Sequence, residues 1–324
     1  MGPTASARRG PTSEARQLLA EARRLEDKAG EAVLDRAQVV CATLTGLAPP
    51  PSGPLRARTF DLAVIDEATQ ATEPALYLAL LRAERAVLAG DHQQLPPTIL
   101  SSEAQQGGLG VSLFERLLAL HGEALKVTLA EQHRMNEKIM RYPSDTLYGG
   151  ALRAHPSVAH AAIDEWPFEL IDTAGRGFEE ETPEGSESKM NPGEADLAKA
   201  EVERLLARGI SPIDIALISP YDAQVQRLRQ LLEQYLDVGL EVDTVDGFQG
   251  REKDAVVVTL VRSNEDGQLG FLADVRRMNV ALTRARRKLI VIGDGATISR
   301  HPFYAGLLAY AERIGAWRSA WGRE

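Results

Sequence analysis

The sequence predicts an α/β fold built on parallel sheets, in two successive units of similar style. Three observations carry that expectation. The chain has 324 residues, which at roughly 100–200 residues per domain makes about two domains. Short apolar runs alternate with helix-period segments along most of the chain, the pattern of strands covered on both faces by helices. Hydrophobic residues make up 44% and charged residues 26%, an ordinary globular composition that excludes disorder as the main state.

Residues 1–12 read as a loose arm. The spacing then predicts a long helix over 13–35. Leu18, Leu19, Ala22, Leu25, Ala29 and Ala32 fall on one face, and the other side alternates in charge. Residues 38–43 read as a short strand, and 48–54 (APPPSGP) as a loop. Strand and helix then alternate: strand 62–65, helix 74–81, strand 86–89, helix 113–120, strand 125–129. Residues 172–193, rich in Glu, Gly, Pro and Ser, read as a mobile acidic loop. Beyond it come helix 194–208, strand 213–218, helix 221–236, strand 255–261, helix 274–286 and strand 289–292.

Cys41 is the sole cysteine, so an intrachain disulfide and a multi-cysteine zinc site are excluded, in keeping with a reducing cytoplasm. The first ten residues lack the apolar core of a secretory signal, and no apolar stretch approaches 18 residues, so neither signal nor membrane span is expected. The net charge of −9 excludes a globally basic nucleic-acid binder and leaves a local basic groove open.

Five segments carry chemistry-bearing side chains. Asp66 and Glu67 follow a buried strand directly, where ligands collect in parallel sheets. One carboxylate there can hold Mg²⁺ and its neighbour can orient or deprotonate a water; an acidic turn capping a helix reads equally well. Gly90-Asp91-His-Gln-Gln94 leaves the next strand, and the Gln94 amide can bridge a phosphate and an attacking water. Glu131-Gln-His133-Arg134 is the third. The fourth, 274–288, holds six basic residues and one acid. Arg284 there can serve as an arginine finger, whereas Arg287 and Lys288 fit a surface-charged helix end. The fifth, 241–254, runs from a strand through a polar turn with Gly250 into another strand, and such a turn can present N–H groups to a phosphate. A hairpin-like loop is the plain alternative, and the density of functional groups in the segment speaks against it.

In order, VVCATLTG (39–46), DEATQ (66–70), GDHQQLPP (90–97), EQHRM (131–135), SPYDAQ (219–224), VDTVDGFQGREKD (242–254) and RRMNVALTRAR (276–286) resemble the motifs of superfamily 1 helicases. The branch is the 5′-to-3′ one that holds the immunoglobulin-μ-binding and nonsense-mediated-decay helicases. The resemblance implies two RecA-like lobes with nucleotide in the cleft between them: 1–126, with a helical insertion at 13–36, and 127–324. It implies ATP and Mg²⁺, with Asp66 on the metal, Glu67 activating water and Gln94 sensing the γ-phosphate. Arg134 and Arg284 would reach the phosphates, with Gly250 in the phosphate-facing turn and Glu252 near the ribose. Thr43, Pro220 and Thr244 lie in motifs that face single-stranded DNA or RNA, held mainly by its backbone. A cytoplasmic monomer with no membrane partner is expected.

Two departures stand out. His133 replaces an aromatic Tyr beside the adenine, a place where imidazole can also stack. No GxxxxGK[ST] loop occurs, and none of the lysines follows a glycine. The chain therefore resembles the C-terminal two-thirds of a helicase core, its first lobe incomplete at the N-terminus. Alone it is expected not to turn over ATP at a motor-like rate. The alternative is a P-loop-less RecA-like module that binds nucleic acid or a partner without ATPase activity. The retained Asp66, Glu67, Gln94, Arg134 and Arg284 favour the motor.

Overall fold

The computed structural model describes residues 13–48, 55 and 58–322. The arm read over 1–12, and the loop read over 48–54 beyond its first residue, lie outside the described residues. The described chain divides into two compact units: residues up to Gly90 with Pro96–Leu120, and Asp91–Leu95 with residues from His121 onward.

The first unit holds α1 (Ser13–Arg36), β1 (Phe60–Ile65), α2 (Glu73–Leu80), β2 (Ala83–Leu88), α3 (Ser102–Ala104) and most of α4 (Leu113–His121). Pro74 in the first turn of α2 gives up no needed donor and pre-sets the helical φ. The α2 crossover makes β1 and β2 parallel, Phe60 opposite Ala83 and Ile65 opposite Leu88. A small core gathers Ile65, Ala68, Leu76 and Leu113 against Leu44, Leu88 and Phe114. The sheet was expected to be covered on both faces. Among the described residues it is covered on one, because two strands and one helical layer leave Val64 and Val87 exposed. The apolar stripe of α1 is also exposed, at Leu18, Leu19 and Leu25. The strand expected over 38–43 is absent: Val39 stands in solvent, and no neighbouring strand pairs its backbone.

The second unit opens with β3 (Glu131–Gln132), α5 (Glu137–Leu147), β4 (Arg153–Ala154) and α6 (Pro156–Ala159). It continues with β5 (Phe168–Asp172), α7 (Pro192–Ala207), β6 (Ile215–Ser219), α8 (Asp222–Leu231), α9 (Glu233–Leu236) and β7 (Glu241–Thr244). It closes with β8 (Lys253–Thr259), α10 (Val275–Leu282), β9 (Ala285–Gly293), α11 (Gly295–Ile298), α12 (Pro302–Arg313) and β10 (Trp317–Ser319). Six strands form one parallel sheet in the order β10-β5-β9-β8-β6-β7. Among its central strands, β6 is buried throughout, and the Val-rich β8 is buried from Ala255 onward. The period of two divides them: Ile218, Val256, Val258 and Val291 face one core layer, Leu217, Val257, Ile290 and Ile292 the other. Each such side chain contributes about 1.5–3 kcal/mol by leaving water.

Several expectations are corrected here. No strand covers 125–129, where Leu125, Val127 and Leu129 are exposed; pairing starts at β3. The helix expected over 221–236 breaks at Leu232, whose ψ of 17° does not continue it. The helix expected over 274–286 stops at Leu282, and Arg286, Arg287 and Lys288 lie in β9. Lys288 is no surface charge on a helix end: it is fully buried, 2.9 Å from Asp164 and 2.7 Å from Glu169. Those two acids make an interior cation tenable. The segment read as a mobile acidic loop is tied down. Glu180 takes Arg262 at 2.7 Å, and Glu181 bridges Met190. As expected, 241–254 is no hairpin: β7 and β8 each pair in parallel with β6. No described helix is long and apolar enough to cross a membrane.

Candidate active site

The second unit brings four of the singled-out side chains together at the amino ends of β8 and β9. Lys253 and Ala285 are register partners, so Glu252 and Arg284, one residue upstream on each strand, emerge side by side. Arg134 arrives from the end of β3. Its Nε donates to Glu252, and its Nη1 donates to the Thr283 carbonyl at 3.2 Å. Arg286 donates to the other oxygen of Glu252 at 2.9 Å. Partial burial alone would raise the Glu252 carboxyl. The hydrogen bond from Arg286 and the charge of Arg134 outweigh it and hold the group below its ordinary range.

Arg284 is buried. Its Nε donates to Val280 O at 3.1 Å, its Nη1 to Arg251 O at 3.4 Å, and its Nη2 to Gln94 Oε1 at 3.2 Å. The Gln94 amide is thereby oriented at both ends, since its Nε2 donates to Asp91 Oδ2 at 2.8 Å. Three groups behind it escaped the sequence reading. Asp91 stands in a quoted motif but was given no role. Its Oδ2 accepts the Tyr148 hydroxyl at 2.5 Å. Asn279 donates to that hydroxyl at 2.7 Å and to Gln93 O at 2.9 Å. Burial, and then the Asp91 charge, push the Tyr148 phenol upward, so it stays a donor. Tyr148 carries no sequence signal of this role.

Pro220 and Thr244 stand apart from that cluster, at the carboxyl ends of β6 and β7. Ser219 and Thr244 are register partners there. Thr244 Oγ1 accepts from Gly247 N at 3.1 Å, and the chain turns through Gly250 at φ +78°, a value that favours glycine. His133 lies just before Arg134, exposed, its ring 4.3 Å from that of His155. A further residue missed in the sequence is Glu194 on α7. It is fully buried, and its Oε2 accepts from Val261 N at 2.8 Å. Val261 has φ +73°, a strained value for a β-branched residue. Burial pushes the Glu194 carboxyl up to about 8.

The first unit carries Asp66, Glu67 and Thr43. Ile65 ends β1, and Ala68 N donates to Ala89 O at 2.8 Å, fixing the turn between them. Glu67 sits at φ +51°, an unusual value for glutamate. Its N–H donates to Asp66 Oδ1 at 3.0 Å, and its carboxylate accepts from Gln70 Nε2 at 2.6 Å. Both acids are exposed. Thr43 Oγ1 accepts from Gly46 N at 3.1 Å.

Two guanidiniums and an oriented amide make a donor set suited to a polyphosphate chain, with the Glu252 carboxylate accepting from Arg134 and fixing its position. Two exposed acids at a strand exit suit a hard cation and a water.

Residues 109–296 match the family model described as an AAA domain, and residues 4–102 match a second of the same description. The chain is 44% identical over 322 residues to DNA-binding protein SMUBP-2 of Rattus norvegicus, covering 95% of this chain and 32% of that protein. It is 37% identical over 299 residues to DNA polymerase alpha-associated DNA helicase A of Schizosaccharomyces pombe, with coverages of 87% and 44%. It is 37% identical over 303 residues to an uncharacterised ATP-dependent helicase of Methanocaldococcus jannaschii, with coverages of 90% and 44%. The chain thus spans less than half the length of these relatives.

Proposed function

The chain belongs to the AAA-domain family of superfamily 1 helicases, in the branch of the immunoglobulin-μ-binding and nonsense-mediated-decay helicases, and on that premise we propose that it is the post-P-loop part of an ATP-dependent helicase that moves along single-stranded DNA or RNA. The observation that carries the proposal is the convergence of Gln94, Arg134, Glu252 and Arg284 in one hydrogen-bonded cluster. We propose lobes at 1–126 and 127–324, and a monomer acting in the cytoplasm.

The residues fit ATP and Mg²⁺: the cationic and amide donors match phosphate oxygens, and the exposed Asp66 carboxylate matches a hard ion. When bound, these supply the transferable phosphoryl group and the charge that screens it. The rest falls to the chain. Glu67 accepts the proton of the attacking water. Gln94, held by Asp91 and Arg284, orients that water. Arg134 and Arg284 neutralise charge that grows in the transition state. His133 stacks on the base, and Glu252 and Gly250 border the nucleotide. Thr43, Pro220 and Thr244 hold the strand.

No GxxxxGK[ST] loop occurs in the 324 residues, so half of the phosphate cradle must come from outside them. The proposal is tested by steady-state phosphate release, with and without single-stranded DNA or RNA. Residues 1–324 are compared with the same chain carrying a P-loop segment from its own reading frame ahead of residue 1. Strand-stimulated hydrolysis only in the longer polypeptide, abolished by Glu67→Gln, is the expected result. Strand-stimulated hydrolysis by residues 1–324 alone overturns it.

A further inference from the structure

We propose that Glu131, His133 and His155 form a binding site for a divalent transition-metal ion, with Zn²⁺ as its simplest occupant. The site follows from register. β3 and β4 run parallel with Glu131 opposite Arg153 and Gln132 opposite Ala154, which continues to His133 opposite His155. Residues two apart on a strand share a face, so Glu131, His133 and His155 converge on one side of this small ribbon. Their ligand atoms all lie within 4.8 Å of one another. His133 Nε2 is 3.4 Å from Glu131 Oε1, and the two rings are stacked at 4.3 Å.

Two imidazoles and one carboxylate are an N₂O set, which selects zinc, copper or nickel over magnesium or calcium. Tetrahedral bonds of about 2.0–2.1 Å place ligand atoms about 3.3 Å apart. Small side-chain rotations reach that spacing, and the exposure of Glu131 and His133 permits them. Water completes the shell. In the metal-free chain His155 Nδ1 accepts from the Ser157 N–H at 3.2 Å as the cap of α6, with Ser157 Oγ 2.8 Å away, so binding through Nε2 requires the ring to exchange tautomer. Accepting from Nδ1–H, that hydroxyl fixes the tautomer whose Nε2 lone pair is free for the metal. The Ser157 backbone N–H then gives up its 3.2 Å contact with Nδ1. Arg153, the register partner of Glu131, opposes a cation and weakens the site. The site shares His133 with the nucleotide reading above, so an ion held there and a base stacked on that ring exclude each other, and the titration is made without nucleotide.

The test is titration of ZnCl₂ into the full 324-residue chain, free of any polyhistidine tag, by calorimetry. Cu²⁺ electron spin echo spectroscopy then counts coordinated imidazoles. Expected are one site, weakened at least about tenfold by His133→Ala or His155→Ala and roughly tenfold by Ser157→Ala, and two imidazoles falling to one in either His variant. His133 and His155 follow the ends of β3 and β4 and Ser157 lies in the first turn of α6, and circular dichroism verifies that the variants fold. Cys41 is the one exposed thiol in the chain, so Cys41→Ser should leave the affinity unchanged. Absence of stoichiometric binding, a double His variant within tenfold of the parent, or loss of binding in Cys41→Ser overturns the assignment.

Discussion

Replacing Glu194 with Gln should stabilise the second unit at neutral and alkaline pH and change little in acid. The carboxyl is fully buried, with one oxygen on the N–H of the strained Val261 and the other without a partner. Burial, opposed by the Val261 hydrogen bond and reinforced by the Asp294 charge, moves it from 4.5 to about 8. The folded state therefore binds this proton more tightly than the unfolded chain does. The stability it brings is complete below about pH 4.5 and is lost as pH rises towards about 8. At about 1.4 kcal/mol per pH unit, the parent should lose about 4 kcal/mol relative to Glu194→Gln between pH 5 and pH 8. At roughly 2–4 °C per kcal/mol, that is a gap of about 10 °C in Tm. Gln copies the shape of the protonated acid and keeps an acceptor for Val261 N. Urea and thermal melts of both proteins at half-unit pH steps measure the gap, and taking the difference cancels every other titrating group. Parallel profiles across that range would refute the reasoning.

Three further outcomes follow from the structure. Lys288→Met leaves the Asp164 carboxylate without its buried cation and Glu169 with only its arginine partners, so it should cost about 3 kcal/mol in urea melts; a loss below about 1 kcal/mol would contradict the burial argument. In the P-loop-bearing polypeptide, Tyr148→Phe frees Asp91 and through it Gln94. It should slow hydrolysis by about tenfold while KM for ATP stays within about threefold, the worth of one oriented hydrogen bond; an effect on KM alone would contradict it. Affinity for single-stranded DNA or RNA should fall at least about tenfold between about 50 and 200 mM salt, because backbone contacts release counterions. Salt-independent binding would speak against the strand assignment of Thr43, Pro220 and Thr244.

What was legible in the sequence was local. The apolar runs of β6 and β8 announce strands because their central residues are buried on both faces, and Gln94 and Glu252 stand in the segments beside strands that can be read directly. Arg134, by contrast, follows a two-residue strand with no apolar run, and Arg284 reads as part of a helix that in fact stops at Leu282. What was illegible depends on distant partners. β5 carries Glu169 inside an otherwise apolar run, and that acid is tolerable only because Lys288 and Arg204 reach it. Lys288 in turn reads as a surface residue until those acids are in view. Pro143 lies inside α5 and obscures its helical signal. Tyr148 and Asn279 enter the site through hydrogen bonds across more than 50 residues of chain, which no local pattern encodes. Residues 38–43 and 125–129 look like strands by composition, yet no neighbour pairs with them.

The account stands most directly on Arg284, the buried guanidinium that holds the Gln94 amide. The decisive measurement is kcat and KM for ATP of Arg284→Ala in the P-loop-bearing polypeptide, with saturating single strand. A positioned guanidinium that neutralises transition-state charge is worth roughly 10³–10⁵ in rate. The variant should lose at least about a thousandfold in kcat, with KM changed less than about tenfold and the fold intact by circular dichroism. A kcat within tenfold of the parent would contradict the assignment of this cluster to phosphoryl transfer.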